Sequence, residues 1–268
     1  MQTFYTKMPD ETYFGLPFIS QSKLKYLHDL NYAQWICKII ESDNRPYNDE
    51  LRIGTVMHSV NLERVPIESL MCFKRMDGRS ADGKKQKKDL LGLRSYIFED
   101  ELPKIKEMHS NFMSSFRAQE VMSKSKYIEH AAVSEIFNER KPENKIFMKF
   151  KPDIVGDDFI CDFKTFGDYA TDKNIRSSFN YLNYDFQAAS YLINDAIITN
   201  TQKSNFLFII QESIKPYGCR VISISKDDIL KGYEKFDFAI KKFIKAKNEF
   251  GKSNDPNYTE VNEIILNW

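Results

Sequence analysis

Apolar residues recur three and four positions apart through much of the first third of the chain, and the period shortens in the middle. In residues 18–40, FISQSKLKYLHDLNYAQWICKII, the helical spacing follows Ser20 and Ser22, either of which can cap a helix. A second helix is predicted from near Ile53 through GTVMHSVNLERV, and a third from about Ser95 to Met122. Then come EHAAVSEIFNE, KIFMKFKPDIV, DFICDFKTF, NFLFIIQES and CRVISIS. These runs are short, rich in Val, Ile and Phe, and separated by turn residues, which predicts strands. Between the third and fourth, YLNYDFQAASYLINDAI predicts an amphipathic helix. Ser225-Lys226-Asp227-Asp228 reads as a capping box, opening a helix to about Phe250 whose lysines alternate with acids on a solvated face. The order, helices and then β-β-β-α-β-β-α, predicts one α/β domain over 1–268. Its parts would be a helical N-terminal portion (about 1–128), a core with a mixed sheet (about 129–250) and a C-terminal tail (251–268).

Composition adds bounds. Of 268 residues, 42% are apolar and 29% charged, which excludes disorder on a large scale. The net charge of +1 means that any affinity for a polyanion has to be gathered locally. Such a gathering exists: residues 74–88 hold Lys74, Arg75, Arg79, Lys84, Lys85, Lys87 and Lys88 against Asp77 and Asp82, an excess of five. With two glycines and little apolar content, this stretch predicts a mobile loop leading into a helix, a candidate for phosphate contact. No run approaches the ~18 apolar residues of a membrane span, and MQTFYTKMPDETYFG lacks a leader's apolar stretch. Cys37, Cys72, Cys161 and Cys219 are widely spaced and suggest neither a zinc site nor a disulfide framework. Reduced thiols and a cytoplasmic location are the expectation.

The most informative segment runs from Lys149 to Lys164, KFKPDIVGDDFICDFK. Two apolar strands flank Gly156-Asp157-Asp158, which is turn chemistry. If Asp157-Asp158 is a two-residue turn, Gly156 faces Phe159 and Asp153 lies opposite Asp162. Cross-strand Cβ atoms are ~5 Å apart, so like charges there repel. A shared proton or a hard divalent cation removes the conflict. Lys164 lies on the face of Asp162, and Phe163 points the other way. There the lysine can position a water, help deprotonate it, or stabilise charge on a phosphate.

P-D-x(8)-D-F-K matches the PD-(D/E)XK nuclease signature. Gly54-Thr55-Val56-Met57-His58 resembles the G-T-x-x-H helix of RecB-type nuclease domains, and Gln187 to Tyr191 resembles the Q-x-x-x-Y helix behind the D-x-K strand. The chain most resembles the RecE (exonuclease VIII) group of phage-type recombination exonucleases. That group shares an S-x-S-x-L-K segment (here Ser20 to Lys25), a basic R-x(3)-G-K loop (Arg79 to Lys84) and a strand glutamate (Glu135). The resemblance spans about residues 18–250. Four clustered cysteines, as in the iron–sulfur relatives, are missing, so no cluster is expected.

The resemblance implies a restriction-endonuclease-like mixed central sheet with flanking helices. It implies one or two Mg²⁺ ions, with Mn²⁺ substituting, held by His58, Asp153, Asp162 and the Phe163 carbonyl. Lys164 would be catalytic, Gln187 and Tyr191 would support it, with Gln187 suited to a hydrogen bond to Lys164, and Glu135 would stand behind the ligands. Arg75, Arg79, Lys84, Lys85, Lys87 and Lys88 would contact DNA. The implied substrate is a duplex DNA end, degraded 5′ to 3′ by a possible ring-shaped oligomer, the 3′ strand passing to a single-strand annealing protein. The alternatives are an endonuclease on the same centre and a non-catalytic DNA-binding module; the joint presence of His58, both aspartates and Lys164 speaks against the second.

Overall fold

Pro152, in the middle of the second predicted strand, decides much of the architecture. The computed structural model describes residues 3–43, 48–90, 93, 95–138 and 141–250; the predicted tail, 251–268, lies outside them. The first part of the chain comprises β1 (Thr3–Lys7), α1 (Asp10–Gly15), β2 (Ile19–Ser20), α2 (Gln21–Leu24), α3 (Tyr32–Asp43) and α4 (Asp49–Asn61). Next are β3 (Cys72–Phe73), α5 (Ala81–Asp89), β4 (Ile97–Phe98), α6 (Leu102–Ser114) and α7 (Phe116–Ser123). Five strands then succeed one another: β5 (Ser125–Ile128), β6 (His130–Asn138), β7 (Lys141–Phe150), β8 (Ile154–Gly156) and β9 (Phe159–Phe166). The chain continues through α8 (Asp172–Leu182), α9 (Tyr184–Thr199), β10 (Asn205–Glu212), β11 (Cys219–Ser223) and α10 (Lys226–Phe250).

The run 145–155, predicted as one strand, breaks at 151–153. Proline has no N–H for a ladder, so β7 and β8 enter different sheets. One sheet has the order β1-β6-β7-β2 and the other β11-β10-β9-β8-β5, with β3-β4 as a separate pair. β9 and β10 run parallel, joined through α8 and α9, whereas β8 and β9 are antiparallel, so the predicted mixed sheet is present. Helix α9 packs against β6, β1 and β7 of the first sheet and against α10. Its residues from Asp185 to Leu192 are buried, Gln187 and Tyr191 included.

Helix ends follow local chemistry. The predicted helix over 18–40 is two helices, because Asn31 and Gln34 form a reciprocal cap that restarts the chain: the Gln34 N–H donates to Asn31 Oδ1 (2.9 Å) and the Asn31 N–H to Gln34 Oε1 (3.1 Å). Asn48 caps α4, accepting from the Leu51 N–H at 2.9 Å. The predicted 181–197 helix begins at Tyr184, after Asn183 takes a left-handed conformation (φ 54°) that ends α8. The lysines of α10 are not all on a solvated face. Lys235 pairs with Asp185, and Lys242 donates to the carbonyls of Leu27 and Leu30.

One apolar cluster joins α4, α6 and α7 to β8–β10 through residues such as Val56, Met57, Ile105, Phe112 and Phe163. It holds α4 across β9. A Cβ on Gly54 would lie 3.0 Å from Thr165 Oγ1, so the glycine permits the close crossing that brings the next turn of α4 over the strand. No helix among the described residues is long and apolar enough to cross a membrane.

Candidate metal centre

The β8–β9 hairpin has the expected register: Ile154 pairs with Cys161 and Val155 with Ile160. Continued one step, it sets Asp153 opposite Asp162. Both carboxylates are buried. Asp153 Oδ2 accepts the Phe163 N–H at 2.6 Å, so the aspartate side chain replaces a ladder bond that the Pro152 break removes. Asp162 Oδ1 accepts from Gln187 Nε2 at 2.6 Å. Its Oδ2 lies against the Lys164 ammonium but is buried with no hydrogen bond of good geometry. Burial and the neighbouring Asp153 push the Asp162 carboxyl up to about 6, against the opposing pull of Lys164. Burial also disfavours the Asp153 anion, but His58, Lys164 and the Phe163 N–H together outweigh it and hold that carboxyl low.

His58 comes from α4, one turn after Gly54, with its ring edge-on to Phe163 (centroids 5.4 Å apart). Its Nε2 lies 3.2 Å from Asp153 Oδ2 and 3.4 Å from the Phe163 carbonyl oxygen. Its Nδ1 lies 2.8 Å from Glu129 Oε1. Burial opposes the imidazolium, yet Asp153 and Glu129 on either side raise its pKa well above the ordinary value. Glu129 is the residue that sequence reasoning missed. It sits between β5 and β6, and the only available signal was a carboxylate at the first position of a predicted strand. Glu135, expected behind the ligands, is instead paired with Lys145 of the adjacent strand at 3.1 Å.

Other expected residues are distributed unevenly. Gln187 reaches the centre but bonds Asp162 and not Lys164. Tyr191 is buried, and its hydroxyl donates to the Lys151 carbonyl at 3.3 Å, bracing the link between β7 and β8. The aromatic neighbour of Lys164 is Tyr184, whose ring centroid is 5.4 Å from the ammonium. In the basic segment, Arg75 is committed: it pairs with Asp100 and Glu101 and stacks on Phe98 at 3.9 Å. Lys84, Lys85, Lys87 and Lys88 lie exposed on α5, and Arg79 is exposed just before it. Much of the expected mobile loop is therefore helical, capped by Ser80, which accepts from the Gly83 N–H at 2.9 Å. A Cβ on Gly83 would come within 1.9 Å of the Asp77 carbonyl, which accounts for the glycine of the R-x(3)-G-K pattern.

The donor set suits a hard divalent ion. Donor atoms of His58, Glu129 and Asp153 lie within 4.8 Å of one another, the Phe163 carbonyl adjoins them, and Asp162 Oδ2 is buried beside Lys164 with no hydrogen bond of good geometry. Carboxylates, a carbonyl and an imidazole are ligands of Mg²⁺ or Mn²⁺ rather than of a soft metal.

No family model matches the chain, and neither does any curated protein. Among solved structures, the chain is similar to that of a candidate exonuclease from Eubacterium rectale. The TM-score is 0.60 at 14% identity, over 95% of this chain and 91% of the other. The likeness is one of fold: the mixed α/β architecture read from the sequence is shared with that protein.

Proposed function

We propose that the protein is a metal-dependent nuclease that hydrolyses DNA phosphodiester bonds from duplex ends. The observation that carries this reading is the convergence of His58, Asp153, Asp162, the Phe163 carbonyl and Lys164 at the junction of α4 with β8 and β9. A fold shared with a candidate exonuclease supports it. His58, Asp153, Asp162 and the Phe163 carbonyl would hold one or two ions. Bound there, Mg²⁺, or Mn²⁺ in its place, would lower the pKa of the attacking water and neutralise charge on the scissile phosphate.

The protein's own groups supply the rest. Gln187 fixes the Asp162 carboxylate through Oδ1, leaving Oδ2 toward Lys164. Burial works against the Lys164 ammonium, but Asp162, Tyr184 and Asp153 together raise its pKa. It is therefore a cation poised for a phosphate, and stabilising charge in the transition state is the role its state favours over proton abstraction. The exposed α5 lysines and Arg79 would hold the duplex by its backbone. From the resemblance to the RecE group, degradation runs 5′ to 3′ in the cytoplasm, and the 3′ strand passes to an annealing protein. A ring-shaped oligomer around the duplex belongs to the same proposal.

Linear and covalently closed circular duplexes, incubated with Mg²⁺, test the mode of attack. The linear substrate should release nucleotides and leave 3′ single strands, and the circle should stay intact. Nicking or linearisation of the circle would replace the exonuclease with an endonuclease.

A further inference from the structure

The carboxylate behind His58 has a role that the proposed centre leaves open, and that role presupposes the centre. Glu129 has φ 56°, the left-handed region that a non-glycine residue keeps only where its surroundings fix it. Three contacts fix it. Its N–H donates to the Asp153 carbonyl at 2.9 Å. Its Oε1 lies 2.8 Å from His58 Nδ1. Its Oε2 lies 2.9 Å from Lys151 Nζ, which in turn reaches Asp10 at 2.8 Å. Glu129 thus grips both the histidine and the 151–153 link that carries Asp153 away from β7.

We infer that Glu129 is a positioning residue, holding the Nδ1–H of His58 so that Nε2, which faces the Asp153 and Phe163 oxygens as an N–H in the metal-free protein, would give up that proton and present its lone pair to a cation bound among them. The two ring nitrogens point away from each other, so a group bonded to Nδ1 lies behind the imidazole as seen from Nε2. Both Glu129 oxygens are already engaged, one by the imidazole and one by Lys151. A carboxylate placed so fixes the tautomer and raises the basicity of the coordinating nitrogen. Lys151, ion-paired to Glu129 at 2.9 Å and to Asp10 at 2.8 Å, balances its charge. The centre therefore gains an oriented imidazole without a further net negative charge. Distance alone would also admit Glu129 as a direct ligand, and the experiment separates the two roles.

Wild-type, Glu129→Gln, Glu129→Ala and Asp153→Ala proteins are compared by Mn²⁺ calorimetry, and the first three also by nitrogen-15 NMR of the metal-free protein. The side-chain carbonyl introduced by Glu129→Gln can still accept from Nδ1–H. A protected imidazole Nδ1 proton should appear in wild type and in Glu129→Gln and vanish in Glu129→Ala. Mn²⁺ affinity should stay within a few-fold in Glu129→Gln and fall about 10–100-fold in Glu129→Ala, the range for losing an outer partner of a metal-binding histidine. If Glu129→Gln loses Mn²⁺ as completely as Asp153→Ala, Glu129 is a ligand and the inference is overturned. It is equally overturned if the Nδ1 proton is unprotected in wild type, which can be read even where the alanine variant fails to fold. A wild type that binds no Mn²⁺ would instead strike the metal centre itself.

Discussion

Two buried aspartates facing each other set the energetics of the centre. Asp162 has its carboxyl raised to about 6, so without metal the folded protein binds a proton there that the unfolded chain would release near its ordinary value of 3.8. A raised folded-state pKa contributes stability that is complete below the unfolded value and is lost as pH rises through the folded one. Metal-free protein should therefore lose stability between about pH 4 and 6, and Asp162→Asn, which keeps an acceptor for Gln187, should melt higher than wild type at pH 7 to 8. The gap should close toward pH 4. Thermal melts in a chelator across that range check this; an asparagine variant that melts lower at pH 7 would mean that Asp162 is stabilised by its neighbours as an anion. Lys164 lies on the same strand face but is not among the proposed ligands. Lys164→Ala should still bind Mn²⁺ and DNA ends, yet turn over more slowly by roughly 10²-fold, the scale for one lost electrostatic stabiliser. Lys164→Arg should not restore it fully, since a guanidinium is bulkier and differently shaped. Single-turnover cleavage beside calorimetric metal affinity decides, and an alanine variant cutting at the normal rate would remove Lys164 from the chemistry.

At the scale of elements, the basic segment divides into anchor and surface. Arg52, buried in α4, is held by Glu101 and Asp49 and lies over the rings of Tyr96 and Phe98; Arg75 joins the same Glu101. The exposed lysines of α5 make no ion pair with any described residue. Neutralising Lys84, Lys85, Lys87 and Lys88 together should weaken DNA binding across all sequences and flatten its salt dependence, by about 0.9 in logarithmic slope for each phosphate that is no longer neutralised. Arg75→Ala should mainly lower thermal stability. Titrations of one duplex at several salt concentrations distinguish these outcomes, and an unchanged slope in the lysine variant would make α5 ordinary solvated surface. The hairpin was legible in the sequence because a two-residue turn fixes the register of every residue behind it. α4 was legible too, through its apolar spacing, though Asn48 starts it a turn earlier than Ile53. The partition into two sheets was not, because strand periodicity continues across Pro152. Glu129 escaped notice for a related reason: a turn residue with positive φ belongs to no period, whereas Glu135, on a regular strand, drew attention to the wrong carboxylate.

In the whole molecule, two sheets, a buried helix between them and α4 across β9 bring together groups more than a hundred positions apart in the chain, from His58 to Gln187. The fold is shared with a candidate exonuclease at 14% identity, a level at which side chains and not ancestry have to carry the functional argument. Those side chains bring carboxylates, an imidazole and a lysine together in one buried cluster, which is the basis of the proposed metal centre. The most direct test is release of nucleotide from a linear duplex labelled separately at each 5′ end and each 3′ end, with Mg²⁺ or with chelator, by wild type and by Asp162→Ala. Wild type with Mg²⁺ should release label progressively from the 5′ ends, and both the chelated enzyme and the aspartate variant should release none while remaining folded. Release by Asp162→Ala at a rate near wild type, or undiminished release in chelator, would contradict the assignment of this centre.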